Sequence, residues 1–284
     1  MKTKMFYYYI LILAAAIWHT QARAADYYVE IGEVHITSDN YKNISAAGGF
    51  PAVKKGKISF DNSTRTLTLN NVLIKPDKGK RGIYVFIDYE WKQRPLIIKL
   101  IGHNVIEPTI EEAVGTNGIP IVITGSGSLV ASGTSNVSIF SGKQLTIQGG
   151  CTIEAKAPIW ADTITINDAQ VHAMRVLEKE PCMSAYWGIK LKGGSYLASP
   201  QGATCEYRSN MYHANWGWVF VKGEEICGEV LIKRGKNTGI DNPTTLPSTK
   251  EDEIYTLDGI RMKLPFERLP KGVYIVNGKK KVKS

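Results

Sequence analysis

Between residues 67 and 199 the apolar positions alternate with polar ones in short runs, and each run ends in Gly, Asn or Asp. Six segments share the pattern apolar-x-apolar, turn, second short strand: LTLNNVLI from Leu67, IKLIGHNVIE from Ile98, IVITGSGSLVAS from Ile121, LTIQGGCTIEA from Leu145, ITINDAQVHA from Ile164 and IKLKGGSYLAS from Ile189. Their starts are 31, 23, 24, 19 and 25 residues apart. Strand side chains alternate with period two, so the first and third residues of each segment share a face. The Gly and Asn residues that follow tolerate the positive φ of a sharp corner. One such rung cannot bury its apolar row alone, whereas stacked rungs cover one another. The pattern therefore predicts an all-β chain built as a parallel β-solenoid, with Leu69, Leu100, Ile123, Ile147, Ile166 and Leu191 in one interior column. An antiparallel sandwich also gives short, evenly spaced strands, but its strands need not repeat equivalent positions in the same order. No stretch after residue 26 sustains helical apolar spacing over three turns.

The stretch GKISFDNSTRTLTLNNVLI (Gly56 to Ile74) and the rungs TGSGSLVASG and LTIQGGCTIEA resemble secreted right-handed parallel β-helix proteins of gut Bacteroidetes, often described as carbohydrate-binding-like. The resemblance covers residues 27–235 and implies a right-handed parallel β-helix domain over 25–234. Tyr27 to Phe50, with DYYVEIGEVHIT read as one alternating strand, is the expected N-terminal cap. The aromatic-rich segment from Tyr207 to Lys233 is the expected cover of the last coil.

Residues 1–24 read as a cleaved signal peptide: Lys2 and Lys4, an apolar stretch from Met5 to Trp18, then Ala22-Arg23-Ala24 as the cleavage site. The mature chain is expected to start at Ala25, to be secreted or displayed at the cell surface, and to lack a transmembrane span. The net charge of +9 suggests a polyanion partner until it is divided. Lys2, Lys4 and Arg23 account for the head, and eight bases against Asp258 and Glu267 for the segment from Ile254 onward, which leaves 25–253 neutral. A neutral body argues against nucleic acid as a partner.

Residues 235–253 read as a Gly-, Pro-, Thr- and Asn-rich linker. Residues 254–284 follow as a short antiparallel β tail, with Asp258-Gly259 and Asn277-Gly278 as hairpin dipeptides. YTLDG, LPKGVYIV and the basic end resemble the C-terminal sorting signals of the type IX secretion pathway. The resemblance implies contact with the outer-membrane secretion machinery through 254–284. The tail is shorter than such domains, and a vestigial hairpin without a sorting role is an equal reading.

No catalytic constellation is evident. G-x-S-x-G, H-E-x-x-H and P-loop motifs are absent, His103 and His172 fall about three coils apart, and Asp88 with Glu90 reads as a solvated pair. No zinc or calcium ligand series appears, and no cofactor is expected. Cys151, Cys182, Cys205 and Cys227 allow three disulfide pairings in an oxidising compartment, of which Cys205–Cys227 is the candidate, with Cys151 read as a small buried hydrophobe. Asp162-Thr163-Ile164 resembles a Bacteroidetes O-glycosylation acceptor, which makes Thr163 a candidate. The aromatics are more informative. Trp216 and Trp218 fall on one side of a strand, and Trp160, Tyr186 and Trp187 could extend their surface. Flat rings suit sugars; equally, Trp216 and Trp218 could plug the solenoid end, and the plug is favoured because a cap must bury apolar surface. The leading functional expectation is a non-enzymatic β-helix protein that binds a glycan or surface component. A polysaccharide lyase or hydrolase of the same fold, or a structural adhesive protein, are the alternatives.

Overall fold

The computed structural model describes residues 24–86, 94–109, 111–133, 137–209, 217–235, 254–256, 261–262, 271–276 and 279–283. The signal segment, apart from its last residue, and nearly all of the linker lie outside them. Among the described residues all regular structure is β, and no helix is long and apolar enough to cross a membrane. The chain divides into two compact units, Met1–Asn242 and Pro243–Ser284.

The first unit is one continuous, curled sheet of twenty strands. It opens with β1 (Asp26–Ile31) and β2 (Val34–Thr37), which pair antiparallel. The sequence predicted one strand here. Instead Gly32 and Glu33, at φ 58° and 67°, form the two-residue turn that folds the segment back on itself. β3 (Val53–Asp61) and β4 (Thr66–Ile74) form a second antiparallel pair. The chain then makes repeated circuits: β5 (Ile83–Val85), β6 (Leu96–Ile101) and β7 (His103–Ile106); β8 (Val114–Thr116), β9 (Ile121–Gly125) and β10 (Ser128–Ala131); β11 (Ile139–Gln148) and β12 (Thr152–Ala155); β13 (Ile159–Asn167) and β14 (Gln170–Met174); β15 (Met183–Lys192) and β16 (Ser195–Ser199). It ends with β17 (Thr204–Arg208), β18 (Gly217–Lys222), β19 (Glu225–Ile226) and β20 (Glu229–Arg234).

The circuits stack into three parallel ladders. The first joins β5, β8 and the leading halves of β11, β13 and β15. The second joins β4, β6, β9 and the trailing halves of the same three long strands. The third joins the end of β4 with β7, β10, β12 and β14. Inward rows of Ile, Leu, Val and Ala from all three ladders meet in one core cluster. Asn104 is the polar member of an inward row. Its Nδ2 donates to the carbonyls of Ile101 and Ser128, and its Oδ1 accepts from the Val72 amide, so burial leaves it satisfied.

Four of the six residues expected in the interior column share one register. Ile123, Ile147, Ile166 and Leu191 stand in register, but they continue through Ile98 and Leu67, not through Leu100 and Leu69. Leu100 faces Gly125, whose φ of 112° brings the backbone so close that a Cβ would lie 2.3 Å from the Leu100 carbonyl oxygen. A slip of two residues keeps every side chain on its own face, so the apolar pattern alone does not distinguish the two registers.

Antiparallel strands lie at both ends of the stack. β1 pairs with β5, and β3 runs along the whole of β4. At the far end β18 pairs with β15, and β20 lies between β14 and β16, pairing antiparallel with both. The sequence placed residues 195–199 in the parallel stack. They are displaced by one strand, because β20 takes the edge of β14 first. The second unit is a four-stranded antiparallel sheet in the order β22 (Arg261–Met262), β21 (Ile254–Thr256), β23 (Gly272–Val276), β24 (Lys279–Lys283).

Candidate functional site

Where the chain turns from the first ladder to the second, β13 needs one residue between Ala161 and Thr163, whereas β15 inserts two between Ala185 and Gly188. The additional residue breaks the ladder and pushes Tyr186 and Trp187 outward. Trp187 is 70% exposed and Tyr186 47%, and their rings meet edge to face with centroids 4.6 Å apart. Gly217, at the start of β18, lets that strand close against the same corner, since a Cβ there would lie 2.4 Å from the Ala185 carbonyl oxygen. The next residue, Trp218, is paired with Ala185 on one side and Tyr207 on the other. Ala185 faces inward, so Trp218 does too, and it packs half-buried against the core. Tyr207 meets it edge to face at 6.4 Å and stays 60% exposed. The structure thus brings Tyr186, Trp187 and Trp218 to one end of the sheet and separates their roles. Trp187 presents a ring to solvent, and Trp218 covers the core. Trp216 lies outside the described residues. Thr163 sits on the same corner line, in register with Gln144 and Gly188, and is half-buried.

Trp160 belongs elsewhere. It lies on the outer face of the first ladder, in register with Ser184, Phe140 and Gly115, and Gly115 in turn with Tyr84. Its indole stacks on Phe140 at 5.1 Å and 26°. The Tyr84 ring leans over Gly115, filling the space of the missing side chain, and the Arg81 guanidinium covers it at 4.2 Å. Phe140 covers one face of the Trp160 indole and Arg81 covers the Tyr84 ring, so the row is a line of packed side chains along the outer surface. Tyr84 and Phe140 went unnoticed in the sequence. The signal was there in IYV, VGT, IFS and IWA, four three-residue segments with the ring or its gap at the middle position.

The row ends in a charged cluster. Glu30, opposite Tyr84 and only 4% exposed, faces His35, whose Nδ1 is 2.7 Å from Asp26 Oδ2 and whose Nε2 is 3.8 Å from Glu30 Oε2. Phe86 stacks flat on the His35 ring at 5.2 Å. Burial pushes the Glu30 carboxyl above its ordinary pKa, against the pull of His35 and Arg81. Enclosed by these side chains, Glu30 braces the outward row and is closed to a ligand. His103, bonded to Ser128 Oγ at 2.9 Å, and His172, 2.6 Å from Glu229, lie three strand steps apart on the third ladder. Asp88 and Glu90 lie outside the described residues. Among the described residues no group of three or more His, Cys, Asp or Glu could hold a metal ion. An open groove of about 430 Å³ is lined by Arg175, Glu178, Lys179, Glu224, Glu225 and Ile226, of mixed charge and without an aromatic ring.

The cysteines correct the expected pairing. All four are buried free thiols. Cys205 lies opposite Phe220 on one edge of β18, and the Cys227 amide donates to the Phe220 carbonyl on the other. A whole strand therefore separates Cys205 from Cys227, about 10 Å at the usual strand spacing, beyond the reach of a disulfide. Cys151 sits in the core as expected, its thiol donating to the Gln148 carbonyl, and burial raises its pKa to about 11. Compared with protein-family models, curated proteins and solved structures, the chain matches none of them.

Proposed function

We propose that this chain is an exported, non-enzymatic surface or secreted protein of right-handed parallel β-helix fold that binds a glycan at the Tyr186–Trp187 corner. The exposure of Trp187 carries the reading: a large apolar ring held outward by an inserted residue on a rigid strand costs solvation and contributes nothing to the core. Sugar rings offer apolar C–H faces that fit such a platform, with hydroxyl groups for the surrounding polar atoms. The three parallel ladders and their aligned interior rows support the β-helix. The resemblance of the rungs to secreted Bacteroidetes proteins supports the handedness and, with the signal segment, the export. Residues 254–284 serve, in this reading, as the address read by the outer-membrane secretion machinery.

The test is a glycan array on the mature chain from Ala25, with reducing-sugar release assayed on each hit. Binding without release, lost in Trp187→Ala while the thermal midpoint is unchanged, is the expected result. Binding that survives Trp187→Ala removes the corner from the mechanism, and reducing-sugar release replaces the binder with a hydrolase or lyase. Mass spectrometry of the native protein is expected to find an N-terminus at Ala25, and deletion of 254–284 to retain the chain inside the cell envelope.

A further inference from the structure

Cys182 immediately precedes β15, and its amide donates to the Cys227 carbonyl at 3.2 Å. Cys227 in turn continues the β18–β19 pairing by one residue, opposite Phe220. Residues of adjacent segments joined by one backbone N–H···O=C bond have Cα atoms roughly 5–6 Å apart, inside the window of roughly 4.4–6.8 Å that a disulfide spans. Both side chains enter the same apolar cluster, at 1% and 7% exposure. Their thiols are also close enough that charge on Cys227 opposes ionisation of Cys182. Of the other two cysteines, Cys205 lies beyond β18, and Cys151 sits at the corner between the second and third ladders.

We infer that Cys182 and Cys227 are an intrachain cross-linking site, oxidised to a disulfide that fastens the C-terminal covering strands to the last circuit of the sheet. This rests on the export reading above, since an oxidising compartment is needed. The oxidant is a disulfide donor of the dithiol–disulfide exchange class. One cysteine thiolate attacks the donor disulfide and releases one donor thiol, leaving a mixed disulfide. The second thiolate attacks the sulfur of the first and releases the other donor thiol. Two electrons and two protons pass from the cysteine pair to the donor. Burial holds the Cys182 thiol at about 12 and raises Cys227 as well, so few thiolates exist in the closed fold at neutral pH. Exchange is therefore expected before β18 to β20 settle on β15, and the finished bond is shielded from reductant.

The experiment refolds the full mature chain in a mixture of reduced and oxidised glutathione, then unfolds it, alkylates free thiols and maps peptides without reduction. The expected product is a single peptide pair joined through Cys182 and Cys227, with Cys151 and Cys205 alkylated, and the same link in Cys205→Ser. Reduction should lower the thermal midpoint and speed proteolysis of 217–234. Cys182→Ser and Cys227→Ser should reproduce that loss, with no further effect in the double variant. Four alkylated thiols, glutathione adducts without a link, or a bridge through Cys151 or Cys205 would each overturn the inference. Since the refolding redox buffer replaces the export compartment, a missing link in vitro counts against the geometry. A link formed in vitro but absent from protein recovered from the host counts against export.

Discussion

A carboxylate shut away from water shows at the scale of one residue what the fold tolerates. Glu30 in the unfolded chain titrates near its ordinary 4.5, and burial raises it in the folded chain. The fold therefore favours the protonated form, and that contribution to stability is complete below about pH 4.5 and lost as pH rises through the folded pKa. Glu30→Gln should be at least as stable as the wild type at neutral pH and should flatten the decline above pH 4.5, as read from thermal melts across that window. A Gln variant less stable at neutral pH would mean that attraction to His35 and Arg81 outweighs the burial cost. Trp187 and Trp218 make a contrasting pair. Trp187→Ala removes an exposed ring and should change stability by less than about 0.5 kcal/mol. Trp218→Ala uncovers core and should cost about 2 kcal/mol, below the full range for a wholly buried ring. Trp187 and Tyr186 were visible in the sequence as candidates, but their exposure was not, because it depends on one residue inserted into β15 relative to β13. Trp160 looked equivalent and differs because Phe140, twenty residues earlier, occupies the next position along its ladder.

Single elements show where the repeat was legible and where it ended. Ile147 was placed inside from its rung alone, and Ile147→Asp should cost several kcal/mol by burying an unpaired carboxylate between Ile123 and Ile166. The order of strands at the far end was beyond local pattern. β20 reads as an ordinary apolar-alternating strand, and nothing in EVLIKR announces that it wedges between β14 and β16. That position makes it a joint for both neighbours. Ile232, facing Val171 on one side and Leu197 on the other, is buried. Ile232→Ala should cost about 2–5 kcal/mol and raise amide exchange in β16 and β14 together. Faster exchange confined to β16 would show that β14 holds its edge without β20. The two-residue slip between the expected and observed interior columns has the same origin. Alternation encodes which face a residue takes, and the corner geometry at Gly125 decides which neighbour it meets.

For the molecule as a whole, the charge distribution matters most. The body is neutral and the excess basicity belongs to the ends, where the C-terminal strand β24 carries Lys279, Lys280, Lys281 and Lys283. Binding through the Tyr186–Trp187 corner should therefore change little between low and physiological salt, because ring contacts are not screened. A steep loss with salt in a titration of the full chain, absent once 254–284 is deleted, would move the contact to the lysines. The sequence alone separated the two units near the linker, since composition changes sharply there. It also placed covers over both ends, at Tyr27–Phe50 and Tyr207–Lys233, but did not show which way their strands run. β1 and β3 meet the first circuit antiparallel, β18 and β20 do the same at the last, and the trailing half of β15 carries exposed Lys190 and Lys192. A stack of identical parallel rungs is otherwise a template for polymerisation, each molecule extending the ladder of the one before. Here the terminal strands run against the ladder direction and lysines flank the remaining hydrogen-bonding edge, so a second molecule finds neither a parallel register nor a neutral edge to continue. The ends of the stack are therefore expected to limit its length, and the mature chain to sediment without forming fibres.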